Sequence, residues 1–204
     1  MVGRAERAAN ESDPWLIVGL GNPGREYVGH RHNVGAMVAD ELARRIGGNF
    51  RAHKRARAVV VEGRVSPGAT TPRLIVVKPT TYMNESGQAV APLCDFYKTR
   101  PEQVIAIHDE LDLPFSSLRL KFGGGDNGHN GLKSMRQSLG TGDFYRVRFG
   151  IGRPPGRLDP AVFVLRDFSS TERRDIDADI ARTADAIEAL ISEGLDRAQS
   201  EFNN

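Results

Sequence analysis

Short runs of β-branched and apolar residues alternate with helical patterns along this chain, and that alternation constrains the fold most strongly. The run at 15–20 is apolar and ends in GNPG, which predicts a buried strand followed by a tight turn. Apolar residues then recur at helical spacing from Val34 to Ile46, where Gly47 and Gly48 end the pattern. Strands that alternate with helices predict an α/β sheet covered by helices on both faces.

The remaining segments complete this α/β pattern. Residues 57–65 and 73–78 flank a turn rich in Pro and Gly, so they predict a hairpin and therefore a mixed sheet. Further strands are predicted at 104–108, 118–122 and 145–151, the last with the alternation of a strand that has one exposed face. Helices are predicted at 85–97, where Pro92 weakens the pattern, and along the acidic segment from Ile176 to Ile191.

The first thirteen residues are polar and lack an apolar period, which predicts a mobile arm at 1–13 followed by a single domain at 14–204. A single cysteine, Cys94, excludes a disulfide framework and a Cys-rich zinc module. The arm lacks the apolar core of a signal peptide, so a cytoplasmic protein is expected. No apolar run approaches eighteen residues, so no membrane association is expected either.

Charge is segregated along the chain. Residues 167–204 hold ten acidic residues and four arginines, which leaves a net charge of +8 on residues 1–166. A basic body is typical of proteins that bind a polyanion such as nucleic acid, because Lys and Arg displace counterions from phosphates. A well-solvated surface with no such partner is the alternative interpretation.

Polar residues that can carry chemistry follow the predicted strands. Asn22 follows the first strand, Asp109 follows 104–108, and Asn84 follows 73–78. Ligands of α/β sheets bind at the carboxyl ends of strands. His32 lies in a polar loop before a helix, and Asp109 is a candidate to hold one ring nitrogen while the other takes a proton from water. Because no Ser lies in a G-x-S-x-G motif and Cys94 lies in an apolar helix, direct attack by water is favoured.

The sequence is also compatible with two other kinds of site. Gly19, Gly21 and Gly24 match the G-x-G-x-x-G spacing of a dinucleotide loop, but Pro23 has no N–H for a phosphate and the helix begins only near Asn33. A metal could instead be gathered by four histidines, although their spacing matches no recognised metal motif: His30, His32, His108 and His129.

The segment 123–131 is the most unusual, because five of its nine residues are glycine. Glycine loses much backbone entropy on folding, so such a segment indicates close approach to a ligand. Lys121 precedes this loop and Arg148 lies in the following strand, and both could contact one phosphate. A flexible loop is the alternative interpretation.

Four motifs in this order resemble bacterial-type peptidyl-tRNA hydrolases: GLGNPGREYVGHRHNVG, KPTTYMNESG, HDELDLP and GGGDNGHNGLKS. The resemblance runs from about Trp15 to near the C-terminus. It implies a monomeric single-domain α/β fold that hydrolyses the ester between a peptide and the 3′ ribose of tRNA, without a metal or other cofactor. The alternative is a non-catalytic RNA-binding protein of the same fold, which would lack the base or its partner.

The resemblance also implies roles for individual residues. His32 corresponds to the catalytic base, Asp109 to the acid that orients it, and Asn22 to the residue that senses whether the amino group is blocked. The remaining correspondences are to residues that bind the substrate or its tRNA: Tyr27, Tyr82, Met83, Asn84, Lys121, His129, Asn130 and Arg148. The chain departs from the family pattern in having His30 where Thr is usual and Pro92 inside a helix.

Overall fold

The computed structural model describes residues 14–64 and 72–203, and these ranges contain seven strands. The strands are β1 (Trp15–Gly19), β2 (Arg51–Ala52), β3 (Ala58–Gly63), β4 (Leu74–Pro79), β5 (Val104–Glu110), β6 (Leu118–Phe122) and β7 (Tyr145–Gly150). The sequence predicts each of them except β2, which is too short to show a period. The predicted arm at 1–13 lies outside the described residues.

All seven strands form one mixed sheet in the order β2-β3-β4-β1-β5-β7-β6. The four central strands β4, β1, β5 and β7 are parallel to one another. At the margins β3 runs antiparallel to β4, β2 to β3, and β6 to β7. The β3–β4 pair confirms the predicted hairpin, although residues 65–71 of its turn lie outside the described part of the chain.

Helices cover both faces of this sheet, as predicted. Leu16 and Val18 of β1 belong to one apolar core and Ile17 belongs to the other, because successive side chains of a strand point to opposite faces. The first core is closed by α2 and α3, and the second by α1, α5 and α6. The helices are α1 (Val34–Arg45), α2 (Ser86–Tyr97), α3 (Asn130–Leu139), α4 (Pro160–Val164), α5 (Ile176–Glu193) and α6 (Leu195–Phe202).

Pro92 does not interrupt its helix, since α2 is continuous from Ser86 to Tyr97. Proline removes one backbone hydrogen bond from a helix interior. Ala89, Val90 and Leu93 of the same helix are fully buried. Burial of a Val or Leu side chain stabilises the folded state by about 1.5–3 kcal/mol. The packing of these side chains therefore outweighs the loss of one backbone hydrogen bond at Pro92.

Strand β7 differs from its prediction, because one of its polar positions is interior. Arg146 is only 1% exposed, and its guanidinium donates to the carbonyl oxygens of Gly124 at 2.8 Å and of Gly142 and Phe144 at 3.2 Å. The prediction of an exposed polar face is wrong at this position. The strand lies between β5 and β6, and loop carbonyls supply the acceptors that water would otherwise provide.

Within the described residues, no helix combines the length and the apolar character that a bilayer span requires.

Candidate active site

A cavity of about 710 Å³ opens where three parallel strands end. Strand β1 lies between β4 and β5, so the chain leaves it toward one side of the sheet and later returns on the other. This is the switch point at which α/β proteins bind ligands. Asn22 follows β1, Asn84 follows β4, and Asp109 is the next-to-last residue of β5, so the structure brings together the residues predicted from strand ends.

His32 and Asp109 form a close pair at the base of this cavity. Nδ1 of His32 lies 2.8 Å from Oδ1 of Asp109, and the two side chains are 11% and 3% exposed. Burial alone would raise the pKa of Asp109, but electrostatic interactions and hydrogen bonds with His32 and His129 hold that pKa well below its usual range. Asp109 is therefore an anion at neutral pH, and Nε2 of His32 is the ring nitrogen left for the cavity.

His129 bonds the same carboxylate, and its ring centroid lies 4.9 Å from that of His32. Its Nε2 lies 2.9 Å from Oδ1 of Asp109, while its Nδ1 accepts the backbone N–H groups of Gly131 at 3.1 Å and Leu132 at 3.4 Å. Since Nδ1 is an acceptor, the proton resides on Nε2 and is donated to Asp109. His129 is thus both the N-cap of α3 and a second donor to the buried acid, whereas the resemblance implies a substrate-binding role for it.

Asn22 is held by two neighbours that leave one of its groups available. Its Oδ1 accepts the backbone N–H of Met83 at 2.8 Å. Its backbone is fixed by Asn33, whose Oδ1 accepts the Asn22 N–H at 3.0 Å and whose Nδ2 donates to the Asn22 carbonyl at 2.9 Å. The side-chain NH₂ of Asn22 is therefore the group that remains for a ligand.

Gly19, the first glycine of the dinucleotide-like spacing, has a packing role that it shares with Gly35 of α1. A Cβ on Gly19 would lie 2.4 Å from the carbonyl oxygen of Gly35, and a Cβ on Gly35 would lie 2.2 Å from that of Ile107. Both glycines let α1 lie directly against β1 and β5. Because α1 begins at Val34, well beyond Gly24, its N-terminus does not follow the glycine turn as a dinucleotide loop requires.

The other predicted site residues line the cavity at different depths. Met83 is buried, Tyr27 is half-buried, and Asn84, Asn130 and Tyr82 are exposed. Another part of the wall comes from α4, a helix not predicted from the sequence: Pro160, Ala161 and Val164, with Leu165 after the helix. Asp159 caps this helix by accepting the N–H of Ala161 at 2.8 Å. An Asp followed by Pro is a helix-start signal, so the segment was detectable.

Lys121 and Arg148 lie outside the cavity, on β6 and β7. The register pairs Lys121 with Arg146 and Arg119 with Arg148, so one face carries all four cations. Burial and the charges of Arg148 and Arg146 lower the pKa of Lys121. Arg148 donates from Nε to Oε2 of the buried Glu110 at 3.0 Å, which links this basic face to the residue beside Asp109.

The four histidines of the metal hypothesis do not gather as a group. His30 lies beside Asp167, with 4.0 Å between Nε2 and Oδ1, and Nδ1 of the fully buried His108 lies 2.7 Å from the Asp109 carbonyl oxygen. Within the described ranges, the group with metal-ligand geometry is His32, Asp109 and His129, whose ligand atoms lie within 4.8 Å of one another. The hydrogen bonds to Asp109 account for this closeness.

The chain is similar in sequence and in fold to known proteins of one family. A family model described as peptidyl-tRNA hydrolase matches residues 16–204. A peptidyl-tRNA hydrolase of Streptomyces coelicolor is 60% identical over 192 residues, which cover 94% of this chain and 96% of the relative. One of Mycobacterium avium is 55% identical over 189 residues, with 93% and 97% covered. A solved peptidyl-tRNA hydrolase from Acinetobacter baumannii is 35% identical, with a TM-score of 0.83 and 96% and 97% of the two chains covered.

Proposed function

The chain belongs to the peptidyl-tRNA hydrolase family and hydrolyses peptidyl-tRNA, and on that premise we propose that His32 activates the attacking water. The observation that carries the proposal is the 2.8 Å contact between Nδ1 of His32 and Asp109. It fixes the ring with Nε2 toward the cavity, where a water molecule and an ester can meet.

The proposed reaction uses one proton that moves twice. Nε2 of His32 takes a proton from water as its oxygen attacks the ester carbonyl carbon, and a tetrahedral oxyanion forms. The resulting imidazolium is stabilised by the buried carboxylate of Asp109. Collapse of the intermediate breaks the bond to the 3′ oxygen of the ribose, which takes the proton from Nε2, so that tRNA and a free peptide carboxyl group are released.

Asn22 is proposed to distinguish peptidyl-tRNA from aminoacyl-tRNA. An acylated α-nitrogen brings an amide carbonyl, and the free side-chain NH₂ of Asn22 is a donor for that oxygen. A free α-amine is charged, offers no such oxygen, and is costly to desolvate beside a donor. Selectivity then depends on one hydrogen bond whose donor is held in place by Met83 and Asn33.

The remaining predicted residues have binding roles in this proposal. Tyr27, Tyr82, Met83, Asn84 and Asn130 line the cavity and would contact the acceptor end and the peptide. Lys121 and Arg148 would hold a tRNA phosphate. The protein is proposed to act as a cytoplasmic monomer, without a metal or other cofactor.

A release assay tests the proposed base. N-blocked aminoacyl-tRNA is incubated with the wild type and with His32→Ala, and the rate of tRNA release is measured. Removal of a general base should lower the rate by about 10²- to 10⁴-fold. A His32→Ala variant that is folded and retains the wild-type rate would exclude His32 as the base.

A further inference from the structure

A second basic surface lies at the free edge of the sheet. Residues 51–57, RAHKRAR, span β2 and its turn to β3, and they contain four Lys or Arg residues, His53 and no acid. Arg51, Lys54 and Arg55 are exposed and form no ion pair with another residue in the described ranges. Arg45, by contrast, contacts three carboxylates.

An exposed aromatic ring lies among these cations. Phe96, at the end of α2, is 45% exposed. The ring of His53 meets it edge-on at 4.8 Å, and the guanidinium of Arg55 lies 5.5 Å from its centroid. Together they border a groove of about 680 Å³. Glu62 also lines this groove, but its carboxylate is engaged by Arg73 and by the Tyr97 hydroxyl.

We propose that this edge surface, residues 51–57 with Phe96, binds an unpaired stretch of RNA. Proteins that bind single strands combine cations that follow the phosphates with aromatic rings on which bases stack. The unpaired cations supply the first element, and the exposed ring with its neighbouring guanidinium supplies the second. An acidic protein segment would use the cations but would leave the ring without a role.

The edge surface is distinct from the site residues but begins beside them. The carbonyl oxygen of Arg57 accepts the N–H of Thr80 at 2.9 Å, and Tyr82 at the cavity rim follows two residues later. Lys121 and Arg148 lie on β6 and β7, at the opposite end of the sheet from β2. RNA bound at the edge surface therefore leaves the proposed phosphate contacts at Lys121 and Arg148 free.

Fluorescence anisotropy with a labelled uridine 12-mer tests this proposal. Lys54→Ala/Arg55→Ala should weaken binding and reduce the slope of log affinity against log salt by roughly 0.7 for each lost phosphate contact. Phe96→Leu, which keeps an apolar side chain but removes the ring, should weaken binding about tenfold with little change in slope. The matched control is Arg174→Ala/Arg197→Ala, which removes the same charge from exposed arginines elsewhere and should bind like the wild type.

The results of these binding measurements distinguish RNA binding from the binding of an acidic protein. If Lys54→Ala/Arg55→Ala binds the 12-mer like the control pair, or if the wild type does not bind it at low salt, the proposal is overturned. If polyglutamate competes as well as RNA and Phe96→Leu has no effect, the surface binds acidic protein instead. Hydrolysis of a short N-blocked substrate should be equal in all variants, so a failure of the proposed active site would be recognised separately.

Discussion

His32 and His129 bond the same oxygen of Asp109, at 2.8 and 2.9 Å. Because His129 donates a proton to this oxygen and His32 bonds it through Nδ1, two neighbouring imidazoles, with ring centroids 4.9 Å apart, hold the carboxylate. A buried carboxylate without such donors would be costly to ionise. The second imidazole therefore belongs to the apparatus that keeps Asp109 charged, and we expect its loss to affect the proposed reaction.

Asp109→Asn should slow hydrolysis while leaving tRNA binding almost unchanged. The substitution keeps the size of the side chain but removes the charge that stabilises an imidazolium on His32. We expect kcat for N-blocked aminoacyl-tRNA to fall by about 10²- to 10⁴-fold. The Kd for deacylated tRNA is the second measurement. Asp112→Asn changes an exposed carboxylate nearby and should retain kcat, and equal rates in both variants would contradict the role of Asp109.

His129 can be tested by a pair of variants that separates its two contacts. Asn is a good N-cap but is shorter, so His129→Asn should keep α3 capped while losing the bond to Asp109. We expect its kcat to fall roughly tenfold with near-normal stability. His129→Ala should lose the cap as well, at about 1 kcal/mol in the free energy of unfolding by urea. If the two variants have equal stability and wild-type kcat, neither contact matters.

Most of the fold could be predicted from the sequence because its elements are marked locally. The run ending in Gly19 and the period from Val34 are bounded by glycines. Strand β2 and the interior position of Arg146 could not be predicted, because both depend on partners distant in sequence. Arg146 is buried only because the carbonyls of Gly124, Gly142 and Phe144 surround it.

The grouping of Asn22, Asn84 and Asp109 could also be predicted, since parallel strands bring their carboxyl ends to one edge. The side-chain atom that each residue leaves available for a ligand could not be predicted. The free NH₂ of Asn22 is defined by the backbone of Met83, and the tautomer of His129 by the first turn of α3. These hydrogen bonds are set by tertiary geometry and leave no pattern in the sequence.

Asn22→Asp should reduce selectivity through the loss of one donor. The carboxylate can still accept the N–H of Met83, but the NH₂ group is gone. We expect the ratio of hydrolysis rates for N-blocked and free aminoacyl-tRNA to fall, because the amide carbonyl loses its donor. Asn22→Ala should lower the same ratio without adding a charge. An unchanged ratio in both variants would remove Asn22 from this role.

Cys94 should be unreactive in the folded protein. Burial, with the charge of Asp95, raises the pKa of its thiol to about 12. A thiol ordinarily titrates at about 8.5, so above that pH the unfolded chain loses a proton that the folded chain keeps. The free energy of unfolding should therefore decline with rising pH in the alkaline range more steeply than in Cys94→Ala. Iodoacetamide should label Cys94 rapidly only in denaturant, and rapid labelling of the native protein would contradict its burial.

Lys121 and Arg148 should contribute to tRNA binding more than to the chemical step. Each phosphate contact adds roughly 0.7 to 0.9 to the slope of log affinity against log salt. Replacing both residues by Ala should flatten that slope and raise KM for full tRNA substrates, whereas a minimal substrate without the tRNA body should react almost normally. Arg153→Ala removes an exposed cation paired with Asp112 and is the control for charge alone.

Separate substitution of Lys121 and of Arg148 distinguishes tRNA binding by this basic face from support of the active site. Of these two cations, Arg148 donates a hydrogen bond to Glu110, the buried neighbour of Asp109, whereas the pKa of Lys121 is lowered mainly by burial and by adjacent cations. If both residues hold phosphate, Lys121→Ala and Arg148→Ala should each raise KM for full tRNA and spare the minimal substrate. If Arg148→Ala slows the minimal substrate as much as full tRNA while Lys121→Ala does not, Arg148 acts by positioning Glu110, and the phosphate contact belongs to Lys121 alone.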